Sequence, residues 1–147
     1  MKKLFIYYSL SGNGELVAKR LSELGYDLRK VETAKKMPES FFLRILAGGF
    51  AAGVGKKEKL KGYDPDVAGY DEIAIGSPVW NGRISSPVNT VLAKTNLSGR
   101  KLSFILYAGG GEAPKAVARL EKEYPGSQIR VLKEPLKYPE ELDKLDF

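Results

Sequence analysis

Leu4-Phe5-Ile6-Tyr7-Tyr8-Ser9-Leu10-Ser11-Gly12-Asn13-Gly14 is the stretch that decides the fold. Five apolar residues run without a break and then give way to hydroxyls, glycine and Asn. A short continuous apolar run bounded by turn residues predicts a strand buried on both faces. From Asn13 to Leu24 the spacing changes. Leu16, Val17, Leu21 and Leu24 recur at helical period, and Gly25 is a natural stop. Strand, turn and helix in this order begin a β-α-β unit.

The same alternation continues to the end of the chain. Tyr26 to Glu32 predicts a second, edge-like strand, because polar residues separate Tyr26, Leu28 and Val31. Asp71 to Gly76 predicts a third strand. Ser85 or Ser86 followed by Pro87 predicts a helix start, running to about Lys94. Leu102 to Ala108 predicts a fourth strand and Gln128 to Leu132 a fifth. Between them, Glu112 to Tyr124 is amphipathic, and Tyr138 to Leu145 predicts a short acidic helix. Strands alternating with helices imply an α/β fold, with a parallel sheet covered on both faces. Right-handed crossovers leave few topologies, and a five-stranded parallel sheet in the order 2-1-3-4-5 is expected. No repeat, linker or low-complexity segment interrupts residues 1–147, so one domain is expected.

Three segments fall where strands end, which is where open parallel sheets meet their ligands. The first is Ser9, Leu10, Ser11, Gly12, Asn13 and Gly14. Its hydroxyls, its glycine amides and the following helix N-terminus make a cradle for a terminal phosphate. An ordinary capped turn is the plainer alternative. A dinucleotide fingerprint is out of frame, because Val17 stands where its third glycine belongs, although Glu32 could meet a ribose. No P-loop spacing occurs. The second segment is Gly76, Ser77, Pro78, Val79, Trp80, Asn81 and Gly82, read as a loop after Ile73-Ala74-Ile75. It carries the chain's single Trp, either a stacking face for a planar ring or a core residue. Ser77 could donate to a ring edge or cap a turn. The third is Ala108, Gly109, Gly110 and Gly111, glycines that serve a close backbone approach to a ligand or a tight turn.

Composition excludes several chemistries. The 147 residues contain no Cys and no His. Thiol nucleophiles, disulfides, imidazole bases and the common zinc ligand sets are therefore absent. Redox chemistry would need a bound cofactor. The net charge of +6 and pI near 9.4 favour an acidic partner, nucleic acid or an anionic membrane surface, although solvated lysines are the plainer reading. No nucleic-acid motif is present. Met1-Lys2-Lys3 leads into a strand with no small-residue cleavage site after it. The longest uncharged apolar run, between Arg44 and Lys56, falls short of the ~18 residues that span a bilayer. A cytoplasmic protein without a transmembrane segment is expected.

Taken in order, these residues resemble the flavodoxin family over nearly the whole chain. Ser9-Leu10-Ser11-Gly12-Asn13 is similar to that family's FMN phosphate loop, usually Ser/Thr-x-Ser/Thr-Gly-Asn-Thr. Gly76-Ser77-Pro78-Val79-Trp80 resembles the loop that stacks an aromatic residue on the flavin, and Ala108-Gly109-Gly110-Gly111 its third flavin loop. The resemblance implies a flavodoxin-like three-layer sandwich, FMN as cofactor, and electron transfer with a redox partner protein. An FMN-dependent NAD(P)H or quinone oxidoreductase and a flavin-free phosphate-ligand or nucleotide-binding module of the same fold are the other functions to weigh. Three features depart from the family. Gly14 replaces Thr, the third loop lacks aromatic and acidic residues, and the chain is basic where flavodoxins are typically acidic, so an acidic partner suits it. Acidic residues needed by a receiver domain are missing after strands one and three, where Ser9 and Ser77 stand. Between strands two and three, Phe41, Phe42, Ile45, Leu46, Gly49, Phe50 and Gly53 repeat at helical spacing. They are expected to pack on the sheet. Their surplus apolar surface makes residues 41–54 a candidate homodimer interface, flavin cover or membrane contact.

Overall fold

The computed structural model describes residues 1–34 and 59–146. Its elements are β1 (Lys3–Tyr7), α1 (Asn13–Glu23), β2 (Tyr26–Lys30), β3 (Glu72–Trp80), β4 (Arg83–Ile84), α2 (Ser86–Lys94), β5 (Lys101–Ala108), α3 (Pro114–Glu123) and β6 (Gln128–Lys133). A 3-10 helix, Pro139–Leu145, follows where a short acidic helix is expected.

Five strands pair in parallel in the order β2-β1-β3-β5-β6. This is the expected flavodoxin-like order once the two-residue strand β4 is set aside. β4 is an addition to the expected sheet and pairs antiparallel with the end of β3. The apolar run of β1 explains the layering. Leu4, Ile6 and Tyr8 point to one face, where they pack with Ile73, Ile75, Phe104, Leu106, Val88, Val91, Ala116 and Leu120. Phe5 and Tyr7 point to the other, packing with Val17, Ala18 and Leu21 of α1, Tyr107 of β5 and Leu145. Successive side chains alternate across a strand, so a central strand between two helix layers must be apolar at every position. Three layers result.

Two boundaries differ from expectation in ways that matter for the site. β3 does not stop at Gly76 but runs to Trp80, still paired with β5 as far as Pro78 opposite Tyr107. A proline inside a strand is tolerated where its missing N–H faces no neighbour. Gly76 faces β1, since its carbonyl accepts the Tyr8 N–H at 3.1 Å. Pro78 faces the same way two residues on, beyond the end of β1. β2 ends at Lys30, although the Val31 N–H still reaches the Tyr7 carbonyl at 2.8 Å. The apolar segment 41–54, with its dimer expectation, lies outside the described residues.

Candidate functional site

The strand register brings the three predicted segments to one edge. Tyr7 pairs with Gly76 and Pro78 with Tyr107, so the chain leaves β1, β3 and β5 side by side. In the first segment Gly12 adopts φ +94°, a left-handed conformation that glycine takes without strain, and α1 starts immediately after it. The Ser9 hydroxyl accepts the Gly14 N–H at 3.0 Å. The Ser11 hydroxyl oxygen accepts from the Asn13 amide at 3.2 Å, which leaves its proton free to donate. The Asn13 side-chain carbonyl accepts the Leu136 N–H at 3.0 Å, tying the loop to the chain that follows β6. Among the described residues, the N–H groups of Ser11, Gly12 and Asn13 have no acceptor. One exposed hydroxyl, three amides and a helix N-terminus form a donor set that suits an anion.

The flanking charges leave that set intact. Glu15 sits in the first turn of α1, and its carboxylate meets Lys30 at 2.8 Å. Burial pushes its pKa up. The hydrogen bond from Lys30, Ser9 and the residue's own backbone outweigh that and hold it below the usual value. Lys30 is held above its usual value chiefly by the Glu15 hydrogen bond. The pair is therefore ionised and self-neutralising beside the loop. A cavity of about 460 Å³ opens next to it, lined by Ser9, Lys30, Glu32, Thr33 and Lys61 among others. It contains the Glu32 that the sequence offers to a ribose.

The second segment is a hairpin rather than a loop. Asn81 (φ +51°) and Gly82 (φ +76°) form the two-residue turn, and positive φ at both positions is the type I′ pattern that matches strand twist. Ser77 is fully buried. Its hydroxyl donates to the Pro78 carbonyl at 2.8 Å, accepts the Ser85 N–H at 3.0 Å and meets the Ser85 hydroxyl at 3.0 Å. Its one donor and two lone pairs are all engaged, so it clasps the hairpin and has nothing left for a ring edge. Trp80 is 4% exposed and packs edge-on against Tyr8, with centroids 5.8 Å apart and planes at 88°. That contact joins the hairpin to the residue immediately before the first segment. Of the two uses the sequence allows for Trp80, the structure realises core packing.

The third segment divides in two. Gly111 has φ +76°, its N–H closes the turn onto the Ala108 carbonyl at 3.2 Å, and a side chain there would crowd Lys133. Ala108 itself is buried at the end of β5. Gly109 and Gly110 are exposed, neither has positive φ, and a Cβ on either would meet open space. Packing against the described residues therefore does not require glycine at these two positions.

Spacing alone misses Tyr107. It occupies a buried position on β5, and its hydroxyl donates to the Tyr8 carbonyl. Burial raises its pKa well above the ordinary tyrosine value, with the Glu15 charge adding to that. The sequence signal was indirect: Gly14, which stands where the resemblance to flavodoxins implies a Thr. A Cβ on Gly14 would lie 2.8 Å from the Tyr107 hydroxyl and 2.5 Å from Ser9 Cβ. The space is already taken. No described helix is long and apolar enough to cross a membrane.

No family model matches the chain, and no curated protein matches its sequence. Solved structures do share its fold. A putative flavoprotein from Bacteroides eggerthii is 20% identical, with TM-score 0.75 over 99% of this chain and 98% of that one. A second, from Bacteroides uniformis, is 22% identical, with TM-score 0.68 over 87% and 85%. A Lactobacillus acidophilus flavoprotein solved in complex with FMN is 22% identical, with TM-score 0.61 over 95% and 97%.

Proposed function

We propose that this chain is a flavodoxin-like protein that binds FMN and transfers electrons through it. The observation that carries the proposal is the first loop, where the Ser11 hydroxyl and the amides of Ser11, Gly12 and Asn13 meet at the N-terminus of α1 without an internal acceptor. A terminal phosphate satisfies all four donors. The flavin ring is assigned to the edge between the Val79–Gly82 hairpin and the open Gly109-Gly110 backbone. Stacking on Trp80 would require its packing against Tyr8 to shift. The likeness to a flavoprotein solved with FMN supports the choice of ligand. When bound, FMN would supply the redox chemistry that a chain without Cys or His lacks.

An acidic redox partner fits the net charge of +6 and the lysines that border the turns. Lys115 borders Gly82, and Lys133 borders Gly111. Visible absorbance of the purified protein, with and without added FMN, tests the ligand. Saturable uptake with a perturbed flavin spectrum is expected. Anaerobic reduction followed by reoxidation with ferricyanide tests the electron-transfer role.

Two observations favour a second reading, a phosphate-ligand or nucleotide-binding module without flavin. Trp80 presents no open face, and the cavity beside the first loop is lined by Lys30, Lys61 and Glu32, groups suited to phosphate and ribose. A colourless protein that takes up no FMN but binds a nucleoside monophosphate would replace the first reading with this one.

A further inference from the structure

We propose that Tyr107 is the positioning residue of the anion loop, its hydroxyl holding the Tyr8–Gly14 turn in the geometry that exposes the Ser11–Asn13 amides. The inference rests on that loop binding a phosphate, as proposed above. Tyr107 sits on β5, two strands away from β1. Its phenol reaches the loop across β3 at Gly76, where a Cβ would stand 3.1 Å from the hydroxyl and 2.5 Å from the Phe5 ring. It then passes Gly14 and donates to the Tyr8 carbonyl. Two glycines, from a strand and from a helix, thus keep one corridor clear for one hydroxyl.

The end of that corridor is where the loop's direction is set. Tyr7 is the last residue of β1 in the ladder, and the Tyr8 N–H still bonds Gly76. The Tyr8 carbonyl lies past the paired strand, and a buried carbonyl needs a donor. Tyr107 supplies it. The next residue, Ser9, accepts the Gly14 N–H and packs its Cβ against that glycine. Tyr8, Gly14 and Tyr107, all buried, and the half-buried Ser9 therefore form one packed block at the root of the loop, and Ser11, Gly12 and Asn13 project from it. The space that a side chain at position 14 would take is filled from behind by a tyrosine whose hydroxyl fixes the loop. Burial keeps the phenol protonated, so it remains a donor across the neutral range.

Tyr107→Phe keeps the ring and removes only the hydroxyl. FMN affinity is expected to fall about tenfold while riboflavin affinity stays within about twofold, because only the phosphate contacts depend on the loop. Equal losses for both ligands, or no loss for either, would overturn the proposal. Should the wild-type protein take up no flavin, the functional reading fails by itself, and inorganic phosphate becomes the probe. Saturable shifts of the Ser11, Gly12 and Asn13 amide resonances in wild type but not in Tyr107→Phe would sustain the positioning role. The same shifts in both proteins, or in neither, would refute it. Should Tyr107→Phe fail to fold, Gly14→Ala probes the same block from the other side. The added Cβ displaces Ser9 and the phenol, and the same selective loss of the phosphorylated ligand is expected; a loss that spares the phosphorylated ligand would refute the role.

Discussion

Replacing Trp80 with Ala separates a stacking platform from a core residue. Trp80 is 4% exposed and sits in the cluster that includes Tyr8, Ile84 and Val88, with its plane nearly perpendicular to Tyr8. Truncating a buried aromatic residue to Ala typically costs about 3–5 kcal/mol, and the lost edge-to-face contact accounts for about 0.5–1.5 kcal/mol of that. In a chain near 150 residues each kcal/mol moves Tm by roughly 2–4 °C, so a fall of roughly 6–20 °C is expected. A residue serving only as an open platform would cost little stability and mainly ligand affinity, on the order of 1 kcal/mol. Thermal unfolding followed by far-ultraviolet circular dichroism reads the difference. Because Trp80 is the single Trp, wild-type fluorescence gives an independent check. Emission should be blue-shifted and resistant to acrylamide in the native state and red-shifted on unfolding. A variant melting within about 2 °C of wild type, together with ready quenching of the native Trp, would refute the core assignment.

Ser11→Ala should weaken FMN binding by about 1.5–3 kcal/mol while leaving riboflavin nearly untouched, because the proposed role of the hydroxyl is to donate to the phosphate alone; isothermal titration with both ligands checks it. Ser77→Ala should lower stability by about 1–3 kcal/mol in urea denaturation, since it strands the Ser85 N–H and hydroxyl in a fully buried place. Stability should decline at alkaline pH. Burial, reinforced by Glu72, raises Tyr26 from 10.0 to about 12, and burial also raises Tyr107 well above its usual value. Above pH 10 the unfolded chain loses these protons and the folded chain keeps them, so folding stability falls as pH rises through and beyond 10. Denaturation midpoints from pH 8 to 12, with tyrosinate absorbance followed in parallel, test the sign.

The element order was legible because it depends on local period. Buried strands such as Leu4–Tyr8 are apolar at every position, while Val17 and Leu21 repeat at helical spacing, and each pattern requires one backbone geometry to bury it. Gly25 marked the end of α1 in the sequence, and it has φ +93° in the structure. The length of β3 was not legible. Gly76 and Pro78 carry the composition of a turn, and only the early end of β1 leaves the side of Pro78 free of a ladder partner.

The sequence by itself determined the alternation of strands and helices, the parallel sheet that follows from it, and the glycine- and hydroxyl-rich segments at the ends of three apolar runs. These follow from interactions among residues close in the chain. Tertiary structure decided what each residue at those ends does. Ser77 closes on Ser85, Asn13 holds Leu136 across 123 positions, and Tyr107 reaches Tyr8 across 99. Trp80 turns inward onto Tyr8 for the same reason: its surroundings come from segments the chain brings together only when the sheet closes. Local period fixes which way a backbone runs. Whether a hydroxyl or a ring is spent inside or left for a ligand depends on neighbours that only the completed packing supplies.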